Sequence, residues 1–180
     1  MSTCTGKPVQ DDPPTSRRLI LMRHGEADAP AEPGMEGDYQ RPLTQRGVSA
    51  VREMAAWLAQ QQWRPERILC SPAQRTRETA ELIRQGLHLS AASEQPDRRL
   101  YLAEEATILA VLAEQPARCN NLMLVGHNPA LAGLIARFAQ RQTPVPPATL
   151  ALFEAHTPDW QFSGQPLHPC AINRPGHDLP

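Results

Sequence analysis

Two short apolar runs end in the same way, and that repetition constrains this chain more than any other feature. Leu19-Ile-Leu-Met22 passes straight into Arg23-His24-Gly25, and Leu122-Met-Leu-Val125 passes straight into Gly126-His127. Continuous apolar runs of this length read as strands buried on both faces, the hallmark of a parallel sheet. In open α/β sheets ligands bind beyond the carboxyl ends of such strands. A histidine there, beside an arginine and a glycine that admits a ligand to the backbone, is placed to attack an anion.

The rest of the chain alternates accordingly. After the strand expected over residues 18–23, residues 26–42 hold Pro30, Pro33, Gly34, Gly37 and Pro42, and form a loop long enough to suggest function. Thr44 caps a helix with Val48, Val51, Met54, Ala55 and Leu58 at helical spacing. Arg67 to Ser71 reads as a second strand. Ser71-Pro72-Ala73-Gln74 then reads as a helix start, with Ser as N-cap, Pro at the first helical position and Gln three residues on. Arg75 falls in the first turn, where the helix dipole disfavours a cation unless an anion is shared there. Ser71, Arg75 and Thr79 share one face.

A short strand is expected near Arg99–Leu102 and a helix over Glu104–Glu114 with Ile108, Leu109, Val111 and Leu112 inward. Asn128 and Pro129 repeat the cap-plus-proline pattern before a stripe of Leu131, Leu134, Ile135 and Phe138. Beyond a Pro-rich connection at 141–147, Thr149–Glu154 and Trp160–Phe162 read as two closing edge strands. The expected organisation is a flexible extension (residues 1–16), one domain (17–163) and a loose Pro-rich tail (164–180). Strands alternating with helices imply a three-layer α/β/α sandwich with a mostly parallel central sheet.

At 180 residues with a formal net charge of -1, the chain fits a single domain and gives no reason to expect nucleic acid or a membrane surface as partner. No apolar run approaches bilayer length, and Met1–Ser16 lacks the apolar core of a secretory signal. Cys4, Cys70, Cys119 and Cys170 are scattered, as expected of unpaired thiols in a cytoplasmic protein. A zinc site on His24 and His127 lacks a third ligand at convincing spacing, so neither metal nor cofactor is expected.

Arg23-His24-Gly25, Arg41-Pro-Leu-Thr44 before a helix, Ser71-Pro-x-x-Arg75 with Thr79, and Gly126-His-Asn-Pro129 after an apolar strand resemble, in this order, the histidine phosphatase superfamily (branch 1). With Tyr101-Leu-Ala103, the set is most similar to its short SixA-type phosphohistidine phosphatases. The resemblance covers residues 18 to 162 and implies a phosphoglycerate mutase-like fold. It implies phosphoryl transfer in two steps: His24 takes the phosphoryl group covalently, and water releases it. Arg23 and Arg75 would clamp the equatorial oxygens, His127 would complete the pocket, and Arg41 and Asn128 would bind substrate.

The general acid is less legible. Larger members place a carboxylate after the second helix, and Asp97-Arg-Arg-Leu-Tyr-Leu-Ala-Glu-Glu105 aligns none clearly; Glu104, Glu105 and Asp28 are the candidates. Imidazole leaves phosphorus more readily than an alkoxide, and residues 87–120 are too few for a large cap. Both points favour a phosphohistidine protein as substrate. The alternatives are a small-molecule phosphomonoesterase or mutase acting on a small phosphate ester, and a non-catalytic phosphate-binding module.

Overall fold

A computed structural model describes residues 16–162 and 167–176. The N-terminal extension up to residue 15, with Cys4, and His177 lie outside the described residues.

Six strands form one sheet: β1 (Arg17–Arg23), β2 (Arg67–Cys70), β3 (Glu94–Pro96), β4 (Asn121–Gly126), β5 (Leu150–Ala155) and β6 (His168–Asn173), in the order β3-β2-β4-β1-β5-β6. Strands β3, β2, β4 and β1 run parallel, and β5 and β6 close the sheet antiparallel. The helices are α1 (Met35–Tyr39), α2 (Gln45–Gln60), α3 (Gln74–Gly86), α4 (Glu105–Ala113) and α5 (Ala130–Ala139).

Alternation along the central strands divides the core in two. Leu19 and Leu21 of β1, with Leu122 and Leu124 of β4, pack on one face with Ile108, Leu112, Leu131, Leu134 and Phe138 of α4 and α5. Ile20 and Met22, with Met123 and Val125, pack on the other with Val51, Met54, Leu58 and Ile83 of α2 and α3. A strand buried on both faces has no polar side to alternate, which is why both runs are unbroken. The expected α/β/α sandwich with a mostly parallel sheet is what these two faces make.

Several local expectations are corrected. Trp160–Phe162 is not a strand: Trp160 is fully buried, its Nε1 donates to the Cys119 carbonyl (3.1 Å), and its ring packs edge-on to Phe162. The segment turns both rings into the core and pairs with none of the six strands. The second closing strand is β6, inside the stretch expected to be a loose tail, with Leu150 paired to Asn173. Likewise the short strand expected at Arg99–Leu102 is displaced to β3. The Asp97 side chain accepts from Arg99 N (2.9 Å) and turns residues 98–100 into a 3-10 helix.

The helix starts also differ from their sequence signatures. Thr44 caps α2 as expected, its hydroxyl accepting from Gly47 N (2.9 Å). By contrast α3 begins at Gln74 with Ala73 as N-cap, because the Ser71 hydroxyl accepts from Ala73 N (3.3 Å) in a tight turn and does not reach the third residue of the helix. At α5 the N-cap is Pro129, after a cis Asn128–Pro129 bond, and the Asn128 side chain donates to the Val145 carbonyl (3.0 Å).

Candidate active site

Strand register alone brings the two histidines together. Arg23 of β1 pairs with Gly126 of β4, so His24 and His127 are the next residues along two adjacent parallel strands. His24 N donates to the Gly126 carbonyl (3.2 Å), and the imidazole centroids lie 5.2 Å apart, edge to face. On the far side of β4, β2 ends level with it, Cys70 opposite Val125, and the chain turns into α3. That turn delivers Arg75, which is 3% exposed and whose Nη2 donates to His127 Nδ1 (3.4 Å). Arg23 is anchored by donation from Nη1 to the Val145 carbonyl (2.8 Å), the same oxygen that holds Asn128. His24, Arg23, Arg75 and His127 therefore converge on one sheet edge.

Close packing of α2 makes this edge rigid. A Cβ on Gly25 would lie 2.9 Å from Val51 Cγ2 and 3.1 Å from the Gly47 carbonyl, so only glycine lets the helix approach the chain beside His24. Gly25 N also donates to Thr79 Oγ1 (3.1 Å), which ties the loop to α3.

The hydrogen bonds assign the tautomers. His24 Nδ1 is 2.7 Å from the Gly25 carbonyl, which only accepts, so Nδ1 carries the proton and Nε2 the lone pair. His127 Nδ1 faces a guanidinium, which only donates, so its proton sits on Nε2; that buried atom has no partner among the described residues. Burial pushes the His24 pKa down to about 4; Arg75, Arg23 and Arg41 add to this against the opposing pull of the Gly25 carbonyl. Burial, then His24 and Arg75, push His127 down to about 3. Burial lowers the Arg23 pKa as well. Near neutral pH the site is a pair of uncharged imidazoles beside guanidinium cations, with one bare nitrogen lone pair and one N–H donor.

Arg41 and Asn128 reach the site's margins. Arg41 donates to the Asp28 carbonyl and, through Nη1, to Asp38 Oδ1 (3.0 Å). Asn128 spends its amide on Val145, while its buried Oδ1 has no partner among the described residues.

Among the described residues, none of the three carboxylates named from sequence as acids makes a hydrogen bond or ion pair with this cluster. Asp28 and Glu104 are exposed, and Glu105 turns toward Gly133 of α5, where an added Cβ would meet its Oε1 at 2.0 Å. The carboxylate that reaches the site is Asp38, which sequence reading missed. It lies on α1, in the loop flagged for its length and three residues before Arg41, and that spacing was the available signal. Burial opposes its ionisation, but hydrogen bonds from Arg41 and Tyr101 and the charge of Arg75 outweigh it, bringing its pKa down to about 2. The Tyr101 hydroxyl was also missed as a site group; it donates to Asp38 Oδ2 (2.9 Å).

A neutral histidine with an unprotonated Nε2 and a second neutral histidine thus lie beside two arginines at the carboxyl edge of an α/β sandwich. The chain belongs to the histidine phosphatase superfamily, branch 1, whose sequence model matches residues 19–100. Within it the chain is SixA-like: it is 30% identical over 128 residues to the phosphohistidine phosphatase SixA of Escherichia coli K12, covering 71% of this chain and 77% of that protein. A provisionally assigned SixA from Nakamurella multipartitia superposes with a TM-score of 0.77 at 24% identity, over 92% of this chain and all of that one. The protein histidine phosphatase SixA in complex with tungstate superposes at 0.68 and 24% identity, over 88% of this chain and 97% of that one. Among the described residues, no helix is long and apolar enough to cross a membrane.

Proposed function

We propose that this chain is a metal-independent phosphatase with His24 as nucleophile, and that its substrate is a phosphohistidine side chain on a protein. The observation that carries the reading is the His24 Nδ1–H bond to the Gly25 carbonyl, which leaves Nε2 unprotonated beside Arg23 and Arg75. Nε2 attacks phosphorus in line, a new N–P bond forms, and the bond to the leaving group breaks. Water then attacks the phosphoryl-His24, returns the lone pair to Nε2 and releases inorganic phosphate. Arg23, Arg75 and the His127 Nε2–H stabilise charge on the equatorial oxygens during both displacements. Arg41 and Asn128 support the binding margin.

The leaving group argues for the substrate. Asp38, the carboxylate at the site, is ionised at neutral pH and accepts hydrogen bonds on both oxygens, so it holds no proton to donate. An alkoxide needs such a proton at the bridging atom. A phosphohistidine ring protonated by solvent on its distal nitrogen departs as neutral imidazole without one. Between α3 and β4 the chain spends residues 87–120 on short turns, β3 and α4, which leaves room for a protein surface. The cytoplasm is the compartment that fits free Cys70, Cys119 and Cys170.

The test is hydrolysis of a phosphohistidine protein, with trapping of acid-labile phosphoryl-His24. Wild type should turn over in the presence of chelators, and His24→Ala should fall to background. Retained turnover in His24→Ala would sink the mechanism. High turnover of one member of a sugar and nucleotide phosphate panel would move the substrate to small phosphate esters. Phosphate binding without turnover of any substrate would make the chain a binding module.

A further inference from the structure

Asp38 belongs to none of the steps above, yet its side chain joins three residues around the clamp. It sits on α1 within the 26–42 excursion, whose neck is closed by a bridge between Ala27 and Leu43. Its Oδ1 accepts from Arg41 Nη1 (3.0 Å), and its Oδ2 from both Arg75 Nη2 (3.0 Å) and the Tyr101 hydroxyl (2.9 Å). Its main-chain carbonyl accepts from Arg75 Nη1. One residue thus grips both terminal nitrogens of Arg75, through side chain and backbone together. The Arg75 Nε–H is buried and has no partner among the described residues.

We propose that Asp38 is a positioning residue: it holds the terminal edge of the Arg75 guanidinium and so fixes the plane in which its remaining N–H donors meet the phosphoryl group. Tyr101 holds Asp38 in turn by occupying the second lone pair of Oδ2. A guanidinium on a flexible stem has several rotamers, and a clamp set before substrate arrives loses less entropy when it closes. Arg41, on the other carboxylate oxygen, is placed by the same group, so one carboxylate sets two cations. The catalytic part of this inference rests on the phosphatase reading; the part that concerns anion binding does not.

Charge and geometry predict opposite signs for the loss of Asp38, which makes the proposal decidable. If the carboxylate merely offset nearby cations, its removal would strengthen anion binding. If it orients Arg75, removal weakens binding although the pocket becomes more positive. The experiment is titration of the purified chain with inorganic phosphate by calorimetry, alongside steady-state kinetics on a phosphohistidine protein, for Asp38→Asn, Tyr101→Phe and the pair. Asp38→Asn should weaken phosphate binding about tenfold, as loss of a supporting outer partner does elsewhere. Its kcat should fall about 100-fold, in line with an ångström-scale misplacement, with KM raised by no more than the loss in phosphate binding. Tyr101→Phe should shift both in the same direction by less, and the double variant should be no worse than Asp38→Asn alone, because both act on one group.

Unchanged or tighter phosphate binding in Asp38→Asn, or additive losses in the pair, would overturn the proposal. If Asp38→Asn does not fold, Tyr101→Phe decides by the same readouts, since it deletes a single hydroxyl from a partly exposed ring. A wild-type chain with no turnover would refute the phosphatase reading, and the phosphate titrations would still decide the role of Asp38.

Discussion

The Nδ1 of His24 lies 2.7 Å from the carbonyl oxygen of Gly25, so the imidazole is oriented by the peptide that follows it. In many His-based sites a separate carboxylate fixes the tautomer. Here the backbone does so, and a neutral acceptor stabilises imidazolium less than an anion would. The low pKa of His24 comes first from its burial and then from Arg75, Arg23 and Arg41, and the Gly25 carbonyl offsets it only in part.

That low pKa makes the first prediction. His24 is depressed to about 4, so its Nε2 stays unprotonated well below neutrality. The rate should show no loss from neutrality down through the ordinary histidine range and fall only as pH approaches 4; a pH profile of kcat/KM checks this. An ascending limb centred near the ordinary histidine pKa of about 6.5 would contradict it. Stability has the same sign. Between about 6.5 and the lowered folded-state values the unfolded chain binds more protons at His24 and His127, so stability is complete above that window and declines as pH falls through it.

Arg75→Lys tests the clamp. Lysine keeps the charge but loses the planar fork that binds Asp38, His127 and, on the proposed reading, phosphoryl oxygens at once. The expected loss is about 2.7–4 kcal/mol of transition-state stabilisation, or roughly 100- to 1,000-fold in kcat. Steady-state kinetics with a circular dichroism check on folding would measure it, and a loss below tenfold would show that charge alone suffices.

Much of this was legible in the sequence because it is local. The unbroken runs before His24 and His127 report strands buried on both faces, and strand ends in a parallel sheet share an edge, so convergence of the two histidines followed from pattern. What the sequence hid is long-range. Asp38 meets Tyr101 across 63 residues and Arg75 across 37, and nothing in a short charged helix announces that. The tail failed for a similar reason: β6 joins β5 through backbone pairing, which its proline-containing sequence does not advertise. Trp160–Phe162 misled because aromatic residues favour both strands and core plugs.

Arg17 is a second hidden long-range residue, and it predicts a stability effect without a catalytic one. It is fully buried at the start of β1, the end remote from His24, and donates to the carbonyls of Cys119, Ala117 and Pro158 with its guanidinium over the Trp160 ring. Arg17→Met keeps much of the volume but takes the Arg17 donor from the Ala117 and Pro158 carbonyls and leaves the Cys119 carbonyl with Trp160 Nε1 alone. The expected cost is about 2–4 kcal/mol in urea unfolding, with kcat/KM of the folded protein unchanged. A variant as stable as wild type would mean those carbonyls find other partners.

The last prediction concerns the contact that supports the main chain beside His24. A Cβ on Gly47 would lie 2.1 Å from the Glu26 carbonyl oxygen and 3.0 Å from the Glu26 amide nitrogen, so the first turn of α2 presses on the main chain just after Gly25. Neither side is a flexible side chain, and Thr44 pins the same peptide by donating from its amide to the Glu26 carbonyl (2.9 Å). Gly47→Ala must therefore push the helix off the strand end, at about 1–3 kcal/mol of overpacking. The displaced peptide adjoins the one whose carbonyl holds His24 Nδ1, so kcat should fall as well, by about tenfold or more for a shift of a fraction of an ångström. Gly86→Ala is the matched control: its Cβ would meet the Ala55 methyl at 2.7 Å, at the far end of α3 from Arg75. It should cost stability and leave kcat intact. Equal kcat losses in both variants would mean that general loosening, and not the peptide beside His24, sets the rate.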